Sequence, residues 1–348
     1  MKKVLFATTA LIATAGMAAA EVKISGYGRF GLDYNDANET VVGRDEVNIT
    51  SRLRIQFDMS AETDGGVTVG ARIRAQAESR DGVPGTTFVT PTGTTGSGAR
   101  FSGAQFHVAY GGLRVNVGNI WGAIDSIPGL YLETRAAGVG IDGAGFQSLV
   151  TQTGNNSFDW DTFTSANNGR NGIEALYSAG GFSGHLSYSQ SNGGTVAGSA
   201  NGTERTGVHV AYTFGDWTAA LGYQDSNVVG EDKILVTVQG DLGQFGVRLA
   251  YANNQDSATV AGGALDDTDK LGLYGTVELG AASKLVAYVT NEDNPDLTTG
   301  ANTVGSTDGT GYGIHYSYDL GGGVSFEAGA REASNDNTTV QAGLYFSF

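Results

Sequence analysis

The chain has 348 residues, no cysteine, only four prolines but 55 glycines, and a formal net charge of −16. Without thiols there is no disulfide and no Cys-type zinc site, and the acidic balance argues against nucleic acid as a partner, because binding phosphates calls for a basic face. Mean hydropathy is middling at −0.14; outside the first twenty residues no window is apolar for long enough to be a membrane helix, and regularly recurring aromatic and β-branched residues exclude disorder.

Residues 1–20 read as a secretory leader. Lys2 and Lys3 give a positive start, residues 4–16 are apolar or small, and Ala18, Ala19 and Ala20 precede Glu21, so cleavage is expected between Ala20 and Glu21. The rival reading, a single transmembrane anchor, falls short of the roughly 20 apolar residues a helix needs to cross a bilayer. Losing both lysines makes the remainder more acidic still. Residues 21–348 form one domain in this reading.

Period-two alternation dominates the rest. Over 47–59, Ile49, Leu53, Ile55, Phe57 and Met59 share one side, and Asn48, Thr50, Arg52, Arg54, Gln56 and Asp58 the other. The next segment repeats this, with Val67, Val69, Ala71, Ile73 and Ala75 opposite Thr68, Arg72, Arg74, Gln76 and Glu78. Each is a strand with one apolar and one polar face. In chain order the pattern predicts strands near 22–34, 46–60, 66–80, 99–110, 113–119, 172–179, 182–190 and 205–214. It continues with 216–225, 232–241, 244–253, 268–279, 283–291, 310–319, 323–333 and 338–348, an even set of sixteen.

Seven connections are tight and glycine-rich, Gly111-Gly112 and Gly180-Gly181 among them, which suits hairpin turns. Others, such as 81–98, 191–204, 254–267 and 292–309, are long and polar, and all four prolines fall in predicted loops. Short turns at one end and long loops at the other describe a transmembrane barrel. Residues 120–171 interrupt the scheme between the fifth and sixth strands, and a loop of that length tends to be functional. Aromatic residues such as Tyr34, Tyr110, Tyr212, Phe214, Trp217, Tyr316, Tyr318, Phe346 and Phe348 gather near strand ends, as at water–lipid boundaries.

Alternation alone fits a soluble sandwich equally well. Three features favour the inverted arrangement, with apolar residues toward lipid. A closed sheet of sixteen strands is too wide for side chains to fill. The apolar face is rich in Ala and Gly, where a packed core would prefer bulk. The chain ends in an alternating strand, Val340-x-Ala342-x-Leu344-x-Phe346-x-Phe348.

The leader, the opening strand Val22-Lys23-Ile24-Ser25-Gly26-Tyr27-Gly28-Arg29-Phe30-Gly31-Leu32-Asp33-Tyr34 and the closing Gly343-Leu344-Tyr345-Phe346-Ser347-Phe348 resemble general-diffusion porins of Gram-negative bacteria, most of all the alphaproteobacterial, Rhodobacter-type, branch. The resemblance spans the mature chain in strand count and loop order; its residue motifs are specific mainly at the two ends. It implies an all-β, 16-stranded antiparallel transmembrane barrel with the third loop folded into the lumen. It also implies a homotrimer in the outer membrane, in contact with the lipid bilayer and lipopolysaccharide, and passive diffusion of ions and small polar solutes. By the same resemblance Phe348 matches the terminal aromatic that the outer-membrane assembly machinery reads. The Pro-Glu-Phe-Gly type motif of the enteric porins' third loop is missing, so their pore-lining residues do not transfer.

Arg29, Arg52, Arg54, Arg72 and Arg74 fall on the polar face of the first three strands and would form a positive wall. Five like charges are untenable in a dry core but sustainable in a wet lumen; the bland reading is a solvated outer face. The third loop carries Asp125, Glu133, Asp142, Asp159 and Asp161, of which Asp125, Glu133 and Asp142 are the leading candidates to oppose that wall across a narrow slot. Acidic mouths concentrate cations while the arginines pull the other way, and the balance leans to weak cation preference.

His107, His185, His209 and His315 sit on polar faces of dispersed strands, reading as lumen residues rather than metal or catalytic ones. No cofactor is expected. The clusters Asp266-Asp267-x-Asp269 and Asn291-Glu292-Asp293-Asn294 offer oxygen ligands for Ca²⁺ but lack the EF-hand pattern. An enzyme would need Ser, His and an acid together; His185 among Ser183, Ser187 and Ser189 is the only local candidate. A substrate-specific channel or a secreted soluble β-protein or adhesin would also alternate in this way. The channel would need a track of aromatics, and Tyr27, Tyr274, Tyr288 and Tyr345 are scattered along the sequence. The soluble protein would stay in the aqueous fraction, whereas a membrane barrel needs detergent.

Overall fold

Neighbouring residues on one strand have opposite fates: Ile49 is 62% exposed and Thr50 only 5%. The same contrast repeats around the molecule, with Val22, Ile24, Phe30, Leu32, Phe106 and Leu273 outside and Arg29, Arg54, Arg74, Asn116 and Glu174 inside. The computed structural model describes residues 20–40, 45–80, 100–134, 150, 159–166, 168–191, 202–259, 265–293, 309–334 and 336–348.

The strands are β1 (Glu21–Asn35), β2 (Val47–Glu62), β3 (Thr68–Arg80), β4 in two pieces (Arg100–Phe101 and Gln105–Tyr110), β5 (Leu113–Asn119), β6 (Asn171–Ala179), β7 (Phe182–Gln190) and β8 (Glu204–Phe214). They continue with β9 (Trp217–Ser226), β10 (Lys233–Leu242), β11 (Phe245–Thr259), β12 (Leu265–Glu278), β13 (Ser283–Asp293), β14 (Gly309–Gly321), β15 (Val324–Glu332) and β16 (Thr338–Ser347). Both pieces of β4 pair with β3, so the predicted strand 99–110 is one barrel strand broken at 102–104. Every pairing is antiparallel, and β1 meets β16 from Tyr27↔Ser347 to Asn35↔Thr339, which closes the sheet. A closed sheet leaves no strand edge unpaired in lipid.

The seam is shaped by glycine. Gly26 and Gly28 lie beneath the rings of Phe348 and Phe346, and a Cβ at Gly28 would stand 2.3 Å from the Phe346 ring. Phe348 also exchanges backbone hydrogen bonds with Gly26, at 2.9 and 3.0 Å. The periplasmic-type turns are tight because residues such as Gly111 and Gly112 hold φ of 57° and 85°, which side chains with a Cβ rarely tolerate.

Outward aromatics recur six residues apart on four strands: Phe182 and Tyr188, Trp217 and Tyr223, Phe245 and Tyr251, Tyr312 and Tyr318. Six residues of strand span about 20 Å. Tilted as barrel strands are, they set two girdles around an apolar band of membrane thickness.

One predicted loop is much shorter than expected. The polar stretch 254–267 is largely strand, with β11 reaching Thr259, β12 starting at Leu265 and a register shift between Asn254 and Ala258. Beyond the membrane both faces of a strand meet water, so Asn253-Asn254-Gln255-Asp256 need not alternate. Residues Asp36–Thr40 form a 3₁₀ turn within the first connection.

Candidate functional site: the lumen and its constricting loop

The arginine wall is set by strand register. Arg29 lies directly across from Arg52, Tyr27 from Arg54, Gln56 from Arg74 and Asp58 from Arg72. Polar neighbours then aim the guanidinium groups. Arg54 Nε donates to Gln76 Oε1 at 2.8 Å, Arg74 Nε to Gln56 Oε1 at 2.8 Å, and Arg72 Nε to Asp58 Oδ1 at 2.6 Å. Arg54 also rests 5.0 Å over the Tyr27 ring, which stacks on Tyr345 at 5.3 Å.

The loop between β5 and β6 enters the barrel as two described limbs. The first, residues 120–134, is pinned by the wall from β6 to β13. Glu174 Oε2 accepts the Gly122 amide at 3.0 Å and Ser187 Oγ accepts the Ala123 amide at 2.9 Å. His209 Nδ1 donates to the Ala123 carbonyl at 2.6 Å, and Thr237 Oγ1 to that of Pro128 at 2.5 Å. At its far end Glu133 joins Arg248 and, at 2.5 Å, Lys284. The second limb, residues 159–166, is held by Arg205, which contacts Asp159 at 2.8 Å, Asp161 at 3.2 Å and Glu231 at 2.7 Å.

An apolar seat lies beneath the loop. Ile124, Ile127, Leu130, Val150 and Trp160 bury against Ala211, Ala220, Leu235, Ala250, Ala252, Tyr274, Val286 and Tyr288. These wall residues all point inward, where the other strands carry polar groups. Small side chains make the room: a Cβ at Gly222 would stand 2.3 Å from Ile127 Cδ1. The first limb thus packs a dry apolar patch against the inner faces of β8 to β13.

Arg74 spans from that side to the loop. Its guanidinium lies 4.9 Å from the Trp121 ring and 4.6 Å from the Phe163 ring, and Nη1 donates to Ser165 Oγ at 3.2 Å. Trp121 and Phe163 stack on each other at 5.0 Å, so one arginine grips both limbs.

Asp125 and Glu133 make their hydrogen bonds and ion pairs away from the arginine wall, although the Arg74 charge reaches the Asp125 carboxyl. Asp125 Oδ1 accepts from Tyr131 Oη at 2.5 Å and from Trp160 Nε1 at 3.2 Å, tying the limbs to each other. Burial pushes its carboxyl up to about 6, against the pull of those two hydrogen bonds. Burial and the nearby Asp125 likewise raise Tyr131. Glu133 faces the opposite wall, and Asp159 and Asp161 belong to Arg205. Asp142 lies outside the described residues. All five arginines occupy inward positions on β1, β2 and β3.

The histidines are inward too, but less dispersed than their spacing suggests. His185 and His209 are register partners 5.4 Å apart, His185 pairs with Glu174 at 3.0 Å, and His315 pairs with Glu327 at 2.8 Å. Of the acidic loop clusters, Asp267 accepts the Asp256 amide, and Asp269 accepts from Tyr251 and Asn253. The loop anchors Arg205, Lys284 and Arg248 and the rings Trp121 and Phe163 do not stand out in the sequence. The only signal for the anchors is inward parity on β8, β11 and β13.

The statistical description of the Gram-negative porin family matches residues 7–338. The chain belongs to the Gram-negative porin family. The porin is 28% identical to the Porin of Fuscovulum blasticum over 333 residues, covering 94% of this chain and 100% of the relative. It is 29% identical to the Porin of Rhodobacter capsulatus over 340 residues, covering 94% and 99%. A solved structure of a multiply substituted Rh. blastica porin superposes with a TM-score of 0.71 at 26% identity, over 94% of this chain and 100% of that one. The porin is thus an outer-membrane diffusion channel for ions and small hydrophilic solutes, not an enzyme. Apolar residues face lipid and charged ones surround the bore.

Proposed function

We propose that permeation through this porin is governed by the slot between the arginine wall and the third loop. The observation that carries this is Arg74, which places Trp121 and Phe163 at the level of the wall. The loop therefore narrows the path where Arg29, Arg52 and Arg54 line it. No cofactor takes part. In a planar bilayer the purified protein should give discrete conductance steps, and replacing Arg52 and Arg54 together by Gln should shift the reversal potential toward cations. An unchanged potential would remove both residues from the constriction.

The working unit in this proposal is a homotrimer, exported with residues 1–20 removed between Ala20 and Glu21. Family membership supports the trimer, and β1 beginning at Glu21 supports the boundary. Phe348 serves the assembly machinery as the end of the closing strand, in keeping with its seat on Gly26. Unheated gel electrophoresis, mass analysis of the mature N-terminus and deletion of Phe348 test these three points. Among the described residues the ring stacks on the arginine side are two pairs, Tyr27–Tyr345 and Trp121–Phe163, rather than a long row, which favours general diffusion over a sugar-type track.

A further inference from the structure

The acids of the loop's two described limbs make their contacts within the loop or with cations beyond β1–β3. Asp125 is bonded within the loop, Glu133 bridges Arg248 and Lys284, and Asp159 and Asp161 serve Arg205. The loop's remaining stretches, 135–149 and 151–158, contain one base, Arg135, and one acid, Asp142, which cancel. On the wall itself, between the levels of Asp33 and Asp58, the inward register positions of β1–β3 hold six arginines (Arg29, Arg52, Arg54, Arg72, Arg74 and Arg80) and Lys23 against three acids, Asp33, Asp58 and Glu78. Asp58 is paired with Arg72, and Asp33 accepts from Gln341 at 2.9 Å.

Among the described residues, the exposed charges at the two mouths are mostly acidic. Exposed Asp225, Asp266, Asp267 and Asp293 stand at the long-loop end, on β9, β12 and β13. Asp64, Asp216, Asp241 and Glu278 ring the short-turn end. A positive constriction therefore sits between two negative vestibules.

The two fields differ in reach. The vestibule charges stand in open water and act on a permeating ion only over a Debye length, about 3 Å at 1 M salt and about 30 Å at 0.01 M. The constriction charges lie in a narrow passage with low-dielectric walls, where the field is focused and screening is least. We propose that this porin prefers anions at high ionic strength, and that the preference falls and turns toward cations as salt is diluted. The arginine wall sets the first regime and the acidic rims the second. This reverses, at high salt, the weak cation preference to which the balance of acidic mouths and arginine wall leans in the sequence. It rests on the protein conducting through the lumen described above.

The test is the zero-current potential of the native porin in a planar bilayer under tenfold KCl gradients, once at 1 M against 0.1 M and again at 0.1 M against 0.01 M. The expected result is a chloride-selective sign in the first gradient and a shift toward potassium in the second. The R52Q/R54Q double variant should lose the high-salt anion preference, and D225N/D293N should blunt the low-salt shift. Conductance steps with a potassium-selective potential at 1 M against 0.1 M would overturn the inference while leaving the pore intact. So would a potential that does not move with dilution. Absence of any conductance steps would instead overturn the pore itself.

Discussion

Arg74 is the residue whose loss should most alter the channel without touching its entrance. Replacing it by Gln removes two cation–π contacts and the charge-assisted bond to Ser165. Each cation–π contact contributes about 0.5–2 kcal/mol, the upper end applying where water is excluded, and Phe163 and Ser165 are both buried. Taken together the lost docking energy is about 2–4 kcal/mol, which raises the population of an undocked loop roughly 30- to 1,000-fold. The apolar seat on β8–β13 remains, so the barrel folds and the defect is confined to the loop. Single-channel recording should show a noisier open state with larger mean conductance. Arg74→Lys should add noise while leaving ion preference near that of the native porin, because it keeps the charge and loses the planar stack. Native noise and conductance in R74Q would refute the clamp.

Smaller effects are expected at the far end of the loop, where Glu133→Gln breaks a half-exposed bridge to Arg248 and Lys284. Such pairs contribute about 0–1 kcal/mol, so the added current noise should be less than for R74Q. Gly222→Leu should drive Ile127 from its seat and reproduce the R74Q phenotype from the opposite wall, which current recordings check directly. For Asp125, the folded protein holds the proton more tightly than the unfolded chain, with the carboxyl raised from 3.8 to about 6. Its contribution is complete below pH about 4 and is lost as pH rises toward 6, then constant. The melting temperature in detergent should fall across that window in the native porin and fall less in D125N.

Strand identity is legible because the membrane enforces it. Wherever one face meets lipid and the other water, a one-residue slip exposes the wrong set, so Val47–Glu62 and Thr68–Arg80 declare themselves. Where both faces meet water that constraint lapses, and the ends of β11 and β12 read as loop. The arginines are legible for the same reason, since five inward charges on adjacent strands need only parity to be found. The loop's orientation is not. Its acids and anchors meet through contacts between residues far apart in sequence, such as Glu133 with Lys284, and loop sequence has no period to read. One clue is present: inward positions turn small or apolar at Gly207, Ala211, Ala220, Gly222, Ala250 and Ala252, which is where the loop docks.

Because the chain has no native cysteine, single thiols can report the direction of individual side chains. Arg52→Cys and Leu53→Cys, adjacent on β2, should divide cleanly in the assembled, membrane-embedded protein. The Arg52 position should react with a water-soluble, membrane-impermeant thiol reagent, and a fluorophore at Leu53 should be quenched by brominated lipid. The reverse pattern, with position 53 open to the aqueous reagent and position 52 quenched by lipid, would contradict the inverted barrel and everything built on it.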